Sequence, residues 1–454
     1  MSEAEATGMA QSDPGTTHTS NIVSKSRDGV KCERLSLSSE DMAWWCDAKF
    51  GMFIHWGLYA IPAKGEWFMH FGKVPAEEYA KLADEFIPRH FDAGTWVRIA
   101  QDAGMRYMVL TARHHDGFAL WDSPSAYKGF CSTQTAARRD FVAEYLKACH
   151  ERNMRVGLYY SPMDWRFPGY FKAKELPDDA ALMKMQCYGQ VEELMKNYGR
   201  IDILWYDGAW LAHQGTDADA AWLWEPVKLN TMVRKYQPKV VISPRSGWEG
   251  DFRCDEGGRE VIGPIVAFPW EKCLNLNQPS WGYNAVQDVM SRDDVIRMLV
   301  NVVGRGGNVL LNVGPDRDGL IPPAHAERLR EVGAWLNQFG KSIYRTRPGP
   351  FQPADNRYCS THRGKTVYVH ILAWDGKETL KLPPLGARVT SCSLMSGAAV
   401  SCAQTDQQID IAVPRGSRQS PCTVVELTLE HPSEAAAQPS GGSKEDGSCK
   451  PRGR

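Results

Sequence analysis

The segment that decides the fold is Tyr107–Phe118, "YMVLTARHHDGF". It begins as an apolar run about as long as a buried strand and ends in two histidines and an aspartate. Five other apolar runs have about the same length: "FGMFIHWG" (50–57), "RVGLYYS" (155–161), "IDILWYDG" (201–208), "VVISPR" (240–245) and "NVLLNVG" (308–314). Because several are apolar nearly throughout, they are predicted to be parallel strands that are covered on both faces.

Amphipathic segments separate these runs and predict helices. "FDAGTWVRIAQDAG" (91–104) and "DFVAEYLKACHERN" (140–153) each carry an aspartate, Asp92 and Asp140, at the position of a helix N-cap. Strand and helix patterns alternate at least six times, which leaves a (β/α)₈ barrel or a doubly wound sheet. No G-x-G-x-x-G follows the first run, and this weakens the dinucleotide-binding reading.

Polar residues stand at the ends of five of the six runs. They are His55, the cluster His114, His115 and Asp116, then Tyr159, Asp207 and Arg245. In a TIM barrel the carboxyl ends of all strands meet at one face, whereas a doubly wound sheet gathers only the strands at its switch point. The sequence therefore favours a (β/α)₈-type, TIM-like barrel.

The chain divides into four parts by pattern. Residues 1–38 are polar and predicted to be disordered, and residues 39–344 hold the barrel pattern. After a Pro-rich joint, residues 345–430 show short alternating strands and no helix pattern, which predicts a small β-sandwich. Residues 431–454 again predict a disordered tail.

Composition excludes several classes of protein. The chain has 53 basic and 54 acidic residues and a net charge of −1, so neither nucleic acid nor an anionic membrane is a predicted partner. No apolar run approaches the roughly 18 residues of a membrane span. The twelve cysteines include no C-x-x-C, which argues against a zinc ribbon and predicts mostly free buried thiols. The N-terminus lacks a signal-peptide pattern, so the expectation is a cytoplasmic protein.

The polar strand ends allow more than one chemistry. The His-His-Asp cluster could be a metal site, a clamp for sugar hydroxyls or a structural turn. On an extended segment His114 and His115 should point to opposite faces, so a metal would need His55 and Asp207 with only one of them. Asp207 could also be a simple Asp-Gly turn residue. Paired carboxylates are the machinery of glycoside hydrolysis, and further carboxylates follow at Glu249, Asp251, Asp255, Glu256 and Glu271.

Five motifs carry a resemblance to a known family. They are "WWCDAKFGMFIHWGLYAIPAKGEWF", "TARHHDGFALWDS", "GLYYSPMDW", "DILWYDGAW" and "GRGGNVLLNVGPDRDGLIP". In this order they resemble family 29 glycoside hydrolases, the α-L-fucosidases, from about residue 42 to about residue 344. The resemblance implies a retaining exo-α-L-fucosidase that acts on fucosylated glycans by double displacement. It also implies an often imperfect barrel, a trailing β-sandwich and no cofactor or metal.

The resemblance also implies roles for single residues. Asp207 takes the nucleophile's position, and Glu256 in "GDFRCDE" takes that of the acid/base, with Glu271 in "PWEKC" as runner-up. This chain lacks the Thr-Pro that the family commonly shows before the acid/base. The residues matched to substrate binding are His55, Glu66, Trp67, His114, His115, Tyr159 and Arg245.

Two other functions remain open at this point. A fucose-binding protein of little catalytic power would share the hydroxyl clamp but need not keep both carboxylates. A metal-dependent barrel hydrolase would share the His and Asp residues. The sequence does not give the linkage preference, the leaving group or the oligomeric state, and a homo-oligomer stays open.

Overall fold

The computed structural model describes residues 29–398 and 400–432. In this part of the chain the N-terminal domain has ten strands: β1 (Phe50–Ile54), β2 (Tyr107–Arg113), β3 (Arg155–Tyr160), β4 (Ile203–Tyr206), β5 (Val241–Ile242), β6 (Arg253–Glu256), β7 (Trp270–Asn275), β8 (Asn277–Gln278), β9 (Asp288–Val289) and β10 (Asn308–Val313). Eight of them form one sheet in the order β5-β4-β3-β2-β1-β10-β7-β6. All seven pairings in this sheet are parallel, as the apolar runs predict.

Helices connect the strands and cover the outer face of the sheet. Those in the described residues are α1 (Ser39–Ala48), α2 (Phe68–Phe71), α3 (Ala76–Ala80), α4 (Leu82–Glu85), α5 (Ala93–Asp102), α6 (Phe141–Glu151), α7 (Pro168–Phe171), α8 (Pro177–Asn197), α9 (Ala221–Trp224), α10 (Pro226–Tyr236), α11 (Arg292–Val303) and α12 (Pro323–Phe339). The predicted caps are confirmed, since Asp92 accepts the Gly94 N–H and Asp140 accepts the Ala143 N–H.

The sheet curls around a core of its own, separate from the layer between sheet and helices. Inward side chains from seven strands meet in this inner core, among them Phe53, Val109, Tyr159, Trp205, Val241, Cys273 and Leu310. Tyr107 on β2 and Trp205 on β4 both donate hydrogen bonds to Glu271 on β7. Strands that are distant in the sheet order therefore face one another across a barrel-like interior.

The barrel has one open seam. Within the described residues no strand pairing joins β5 to β6. Asp251 crosses this gap, because its N–H donates to the Ile242 carbonyl at 2.8 Å and its Oδ2 accepts the Ile242 N–H at 2.8 Å. The six apolar runs became β1 to β5 and β10. Strand β6, which borders the seam, and its neighbour β7 lie in sequence that no apolar run marked.

Part of the predicted N-terminal polar segment packs against the barrel. Val30 forms a bridge with Trp248, a 3₁₀ turn spans Glu33–Leu35, and Leu37 N–H donates to Asp251. Cys32 and Leu35 are buried. Residues 1–28 of the predicted disordered segment, and 433–454 of the predicted tail, lie outside the described residues.

The C-terminal domain is built from two antiparallel sheets. Its strands are β11 (Arg347–Pro348), β12 (Tyr358–Arg363), β13 (Thr366–Ile371), β14 (Thr379–Leu382), β15 (Val389–Leu394), β16 (Ser401–Gln404), β17 (Ile409–Ala412) and β18 (Thr423–Leu429). The sheet orders are β11-β12-β13-β18-β15 and β14-β17-β16. Side chains of both sheets share one apolar core, as in a β-sandwich. Among residues 29–398 and 400–432, no helix has the length and apolar character needed to cross a membrane.

Candidate active site

The polar strand ends meet at one cavity of about 290 Å³, counted with its open mouth. The lining residues are Phe53, His55, Trp67, His114, His115, Tyr159, Trp205, Asp207, Arg245, Glu256, Cys273 and Trp281. Of the ten predicted site residues, counted with the runner-up Glu271, eight line this cavity, and Glu66 and Glu271 do not.

Asp207 is held in place from two sides. It directly follows β4, and its Oδ2 accepts a hydrogen bond from the Tyr159 hydroxyl at 3.0 Å. Its Oδ1 accepts from Arg245 Nη1 at 2.7 Å, and His115 Nε2 lies 3.7 Å from Oδ2. The next residue, Gly208, has φ +81°, and a Cβ there would stand 2.3 Å from Met163 Cε. Glycine is thus required for the turn that aims Asp207 into the cavity.

Arg245 joins the two predicted catalytic carboxylates. Its Nη1 pairs with Asp207, and its Nη2 pairs with Glu256 at the end of β6. The guanidinium also lies 5.5 Å from the Trp205 ring centroid. The side chains of Asp207 and Glu256 are only 14% and 12% exposed, so both carboxylates are largely screened from water yet open to a ligand.

Glu271 lies in the barrel interior and not at the cavity. It is the second residue of β7, and its two oxygens accept from Tyr107 Oη at 2.5 Å and Trp205 Nε1 at 2.9 Å. Burial raises the pKa of Glu271 to about 7, although these two hydrogen bonds lower it in part. Glu256, the predicted acid/base, therefore lines the cavity, whereas its runner-up Glu271 lies deeper in the barrel.

The three predicted histidines have neutral rings. Burial lowers the pKa of His55 to about 3 and holds the pKa values of His114 and His115 well below the ordinary value. His55 Nδ1 lies 2.8 Å from Asn312 Oδ1, and His115 Nδ1 lies 2.6 Å from Ser161 Oγ. Neutral imidazoles can accept or donate a hydrogen bond, which suits sugar hydroxyls.

The expectation that His114 and His115 point to opposite faces is wrong. Both line the cavity, and their ring centroids are 4.0 Å apart. The cause is that β2 ends at Arg113, after which the chain turns and Gly117 N–H donates to the His114 carbonyl. Asp116 points elsewhere, because its carboxylate accepts the Tyr79 hydroxyl at 2.8 Å, and it is buried outside the cavity.

The two residues of the predicted Glu66–Trp67 pair differ in their position relative to the cavity. Trp67 lines the cavity, whereas Glu66 is buried behind it and accepts the Gly282 N–H at 2.7 Å. Gly282 follows Trp281, which also lines the cavity. In this arrangement Glu66 fixes the segment that carries Trp281.

Four lining residues escaped the sequence analysis: Phe53, Trp205, Cys273 and Trp281. The first two could have been found by strand periodicity, because Phe53 precedes His55 by two residues and Trp205 precedes Asp207 by two. The Phe53 and Trp205 ring centroids are 5.1 Å apart, and Tyr159 stacks on Trp205 at 5.8 Å. Together with Trp281 they form an apolar wall facing the polar groups.

No group of three or more His, Cys, Asp or Glu side chains in residues 29–398 and 400–432 is arranged to hold a metal ion. The cavity instead combines two carboxylates on one arginine, neutral histidines and an aromatic wall, at the carboxyl ends of barrel strands. This combination defines the class of barrel glycoside hydrolases.

Comparison with known proteins gives the family. The sequence model of the alpha-L-fucosidase family matches residues 19–341. The chain belongs to this α-L-fucosidase family, and it is an enzyme of that activity. Tissue alpha-L-fucosidase from Bos taurus is 33% identical over 393 residues, 79% of this chain and 81% of the relative. The Homo sapiens protein of the same name is 33% identical over 79% of this chain and 82% of its own length.

Solved structures agree with this assignment. Alpha-L-fucosidase isoenzyme 1 from Paenibacillus thiaminolyticus has a TM-score of 0.75 and 34% identity, covering 86% of this chain and 99% of its own. A Bacteroides thetaiotaomicron alpha-L-fucosidase, solved as a trapped covalent intermediate with 2-fluoro-fucosyl fluoride, has a TM-score of 0.78 and 27% identity over 87% of this chain and 97% of its own.

Proposed function

We propose that the protein is a retaining exo-α-L-fucosidase that removes terminal α-L-fucosyl residues from glycans or glycoconjugates. Asp207 is the nucleophile and Glu256 the acid/base. The observation that carries the proposal is that one guanidinium, Arg245, pairs with both carboxylates at the cavity. So short a bridge fits a retaining enzyme, whose carboxyl groups lie about 5–5.5 Å apart, better than an inverting one. The trapped covalent intermediate of the Bacteroides relative supports the same chemistry.

In the first step the fucose ring enters the cavity and Asp207 attacks its anomeric carbon. Tyr159 and Arg245 each hold one oxygen of Asp207, so the carboxylate is oriented before substrate arrives. The neutral histidines exchange hydrogen bonds with the sugar hydroxyls. The apolar wall that includes Phe53 and Trp205 packs against the methyl group on C5 of fucose.

Glu256 donates a proton to the leaving oxygen in this step. Its ion pair with Arg245 must open before it can hold that proton, and the arriving leaving group separates the pair. In the second step Glu256 takes a proton from water, and the water attacks the fucosyl–Asp207 ester from the face that the leaving group vacated. Two inversions at one carbon give net retention.

The nucleophile is tested with Asp207→Gly. Turnover should fall by several orders of magnitude while the fold is kept, because covalent catalysis is lost. Added azide should restore part of the rate by attacking in place of the carboxylate and should yield a fucosyl azide. A variant that keeps more than about a tenth of the wild-type rate without azide contradicts the assignment.

The acid/base is tested by leaving-group dependence. Glu256→Ala should lose far more activity on a natural fucoside than on an aryl fucoside with an activated leaving group, which needs little protonation. It should also remove the basic limb of the pH–rate profile. Glu271→Gln, the matched control, should affect both substrates alike. If the dependence appears with Glu271→Gln instead, the two residues exchange roles.

Two measurements on the wild-type enzyme test retention of configuration and the alternative of a metal-dependent hydrolase. NMR of the first sugar released should show α-L-fucose, and the initial rate should be unchanged after dialysis against a chelator. Release of the β anomer, or loss of activity that returns with added metal, contradicts the proposal.

A further inference from the structure

Two cysteines face each other beside the cavity. Cys254 lies on β6 and Cys273 on the neighbouring strand β7, and both belong to or pack against the inner core of the barrel. Their Sγ atoms are 3.5 Å apart, and both are free thiols. This is a cross-strand dithiol that the fucosidase reaction, as derived above, does not use.

The dithiol is directly connected to the acid/base. Cys273 lines the cavity, and its partner in the β6–β7 register is Glu256. Cys254 precedes Glu256 by two residues, so both face the barrel interior from the same strand. A covalent change at either sulfur therefore takes place next to Glu256, which forms the ion pair with Arg245.

The separation of the sulfurs permits a disulfide. A disulfide needs an S–S distance of about 2.05 Å. Cys254 lies opposite Glu271 and Cys273 opposite Glu256, so the two cysteines are diagonal neighbours, two residues out of register, on adjacent strands. From 3.5 Å the two sulfurs must approach by about 1.5 Å, which for a diagonal pair requires a shift of β6 relative to β7 as well as side-chain rotation. Cys254 is partly exposed, so a small reagent can reach the pair.

We propose that Cys254 and Cys273 form a modification site for low-molecular-weight disulfides, and that their oxidation switches off fucoside hydrolysis. The Cys254 thiolate attacks the reagent disulfide RS–SR, which gives a Cys254–SR mixed disulfide and releases one thiol RSH after protonation. The Cys273 thiolate then attacks the Cys254 sulfur and releases the second RSH. In sum two protein thiols lose two protons and two electrons, and one RS–SR takes them up to become two RSH.

The disulfide disturbs catalysis because it changes the position of Glu256. Drawing β6 and β7 together at Cys254 and Cys273 shifts the end of β6, where Glu256 reaches across to Arg245. A misplaced acid/base loses most of its contribution, which is typically about 10²–10⁴-fold. The thiol that lines the cavity also loses its place in the wall.

The experiment incubates the reduced full-length protein with bis(2-hydroxyethyl) disulfide and follows both mass and rate. Peptide mapping should identify a Cys254–Cys273 cross-link without a bound reagent fragment. The rate on a natural fucoside should fall about tenfold or more, given the contribution of an acid/base. Dithiothreitol should restore it. A product with only mixed disulfides, or a fully cross-linked enzyme of unchanged rate, overturns the proposal.

Two variants make the test specific. Cys254→Ser, with Cys254→Ala in reserve if folding suffers, should form no cross-link and keep its rate in the reagent. Cys392→Ser removes another partly exposed thiol, in the β-sandwich and far from the cavity, and should stay as sensitive as the wild type. Rate loss in Cys254→Ser would contradict the site. The cross-link is read by mass, so its formation is judged independently of the fucosidase assay.

Discussion

Asn312 fixes the tautomer of the His55 ring, that is, which ring nitrogen carries the proton. Its Nδ2 donates to the Trp281 backbone carbonyl at 2.7 Å and to Asn275 Oδ1 at 2.9 Å. A carbonyl can only accept, so the remaining Oδ1 must be the atom that faces His55. His55 Nδ1 therefore carries the proton, and because the ring is neutral, its Nε2 has a free lone pair. We therefore propose that His55 accepts a hydrogen bond from a sugar hydroxyl and does not donate one.

Asn312→Asp should reverse this arrangement. A carboxylate beside His55 stabilises the charged imidazolium, which raises the pKa of His55 and places a proton on Nε2. The hydroxyl then meets a donor where it needs an acceptor, and kcat/KM should fall about 10- to 100-fold, or about 1.5–3 kcal/mol. Steady-state kinetics and the imidazole signals in NMR measure both effects. Asn308→Asp, at the other end of β10, should leave His55 neutral, and an unchanged kcat/KM in Asn312→Asp would refute the acceptor role.

At the scale of elements, strand β7 carries three inward side chains at three depths. Glu271 lies within the barrel, Cys273 lines the cavity, and Asn275 accepts from Asn312 near the mouth. Their spacing of two residues is the strand period, so one strand supplies the inner core, the cavity wall and a support for His55. A substitution at Glu271 should consequently change mainly the stability of the fold, and substitutions at Cys273 and Asn275 should change mainly the activity.

Glu271→Gln should change how stability depends on pH. The folded pKa of about 7 is above the ordinary 4.5, so burial of Glu271 costs nothing below about pH 4.5 and its full cost appears above about pH 7. Wild-type stability should thus fall relative to the variant as pH rises through this window, by roughly 3 kcal/mol at about 1.36 kcal/mol per pKa unit. Urea unfolding of both proteins at pH 5 and pH 8 measures the difference. A constant difference across that range would show that Glu271 is already ionised in the fold.

The elements that sequence predicts best are those whose pattern is local. Apolar runs gave β1 to β5 and β10, aspartates marked the starts of α5 and α6, and polar strand ends gave most of the cavity, because each depends on neighbouring residues alone. Strand β6 reads "RCDE" and carries no apolar run, since Cys254 and Glu256 face the barrel interior while Asp255, on the other face, pairs with Lys272 of β7. The position of Glu66 behind Trp281 depends on a contact 216 residues away, which no local pattern contains. The directions of His114 and His115 depended on where β2 ends.

The β-sandwich has its own core but also contributes side chains to the outer apolar core of the barrel. Cys359, Tyr368 and Val424 of the sandwich belong to the apolar cluster that covers the outside of the barrel sheet. Arg297 Nη1 on α11 donates to the Leu372 carbonyl at 2.9 Å, and the buried Arg305 pairs with Asp355. The two domains should unfold together, in one transition.

Gly304→Ala tests this coupling. A Cβ on Gly304, at the end of α11, would stand 2.5 Å from the Cys359 Sγ atom of the sandwich. The crowding should cost about 1–3 kcal/mol and lower the single unfolding transition without splitting it. Gly416→Ala, where a Cβ meets nothing within 4 Å, should change stability by less than about 0.5 kcal/mol. Calorimetry distinguishes one transition from two, and two transitions in the wild type would show that the domains are independent.

The open seam between β5 and β6 determines where in this barrel the sequence can gain or lose residues. Asp207 directly follows β4, which is paired with both β3 and β5, so an insertion within β4 would shift the register of the sheet. Glu256 lies across a gap where the described part of the chain has no strand pairing, and Asp251 and Arg245 bridge this gap. Insertions or deletions between Ser243 and Asp251 would therefore leave the pairings of the barrel sheet in place. The position of the proposed nucleophile is therefore tied to the register of the barrel sheet, whereas the distance along the sequence to the proposed proton donor can change.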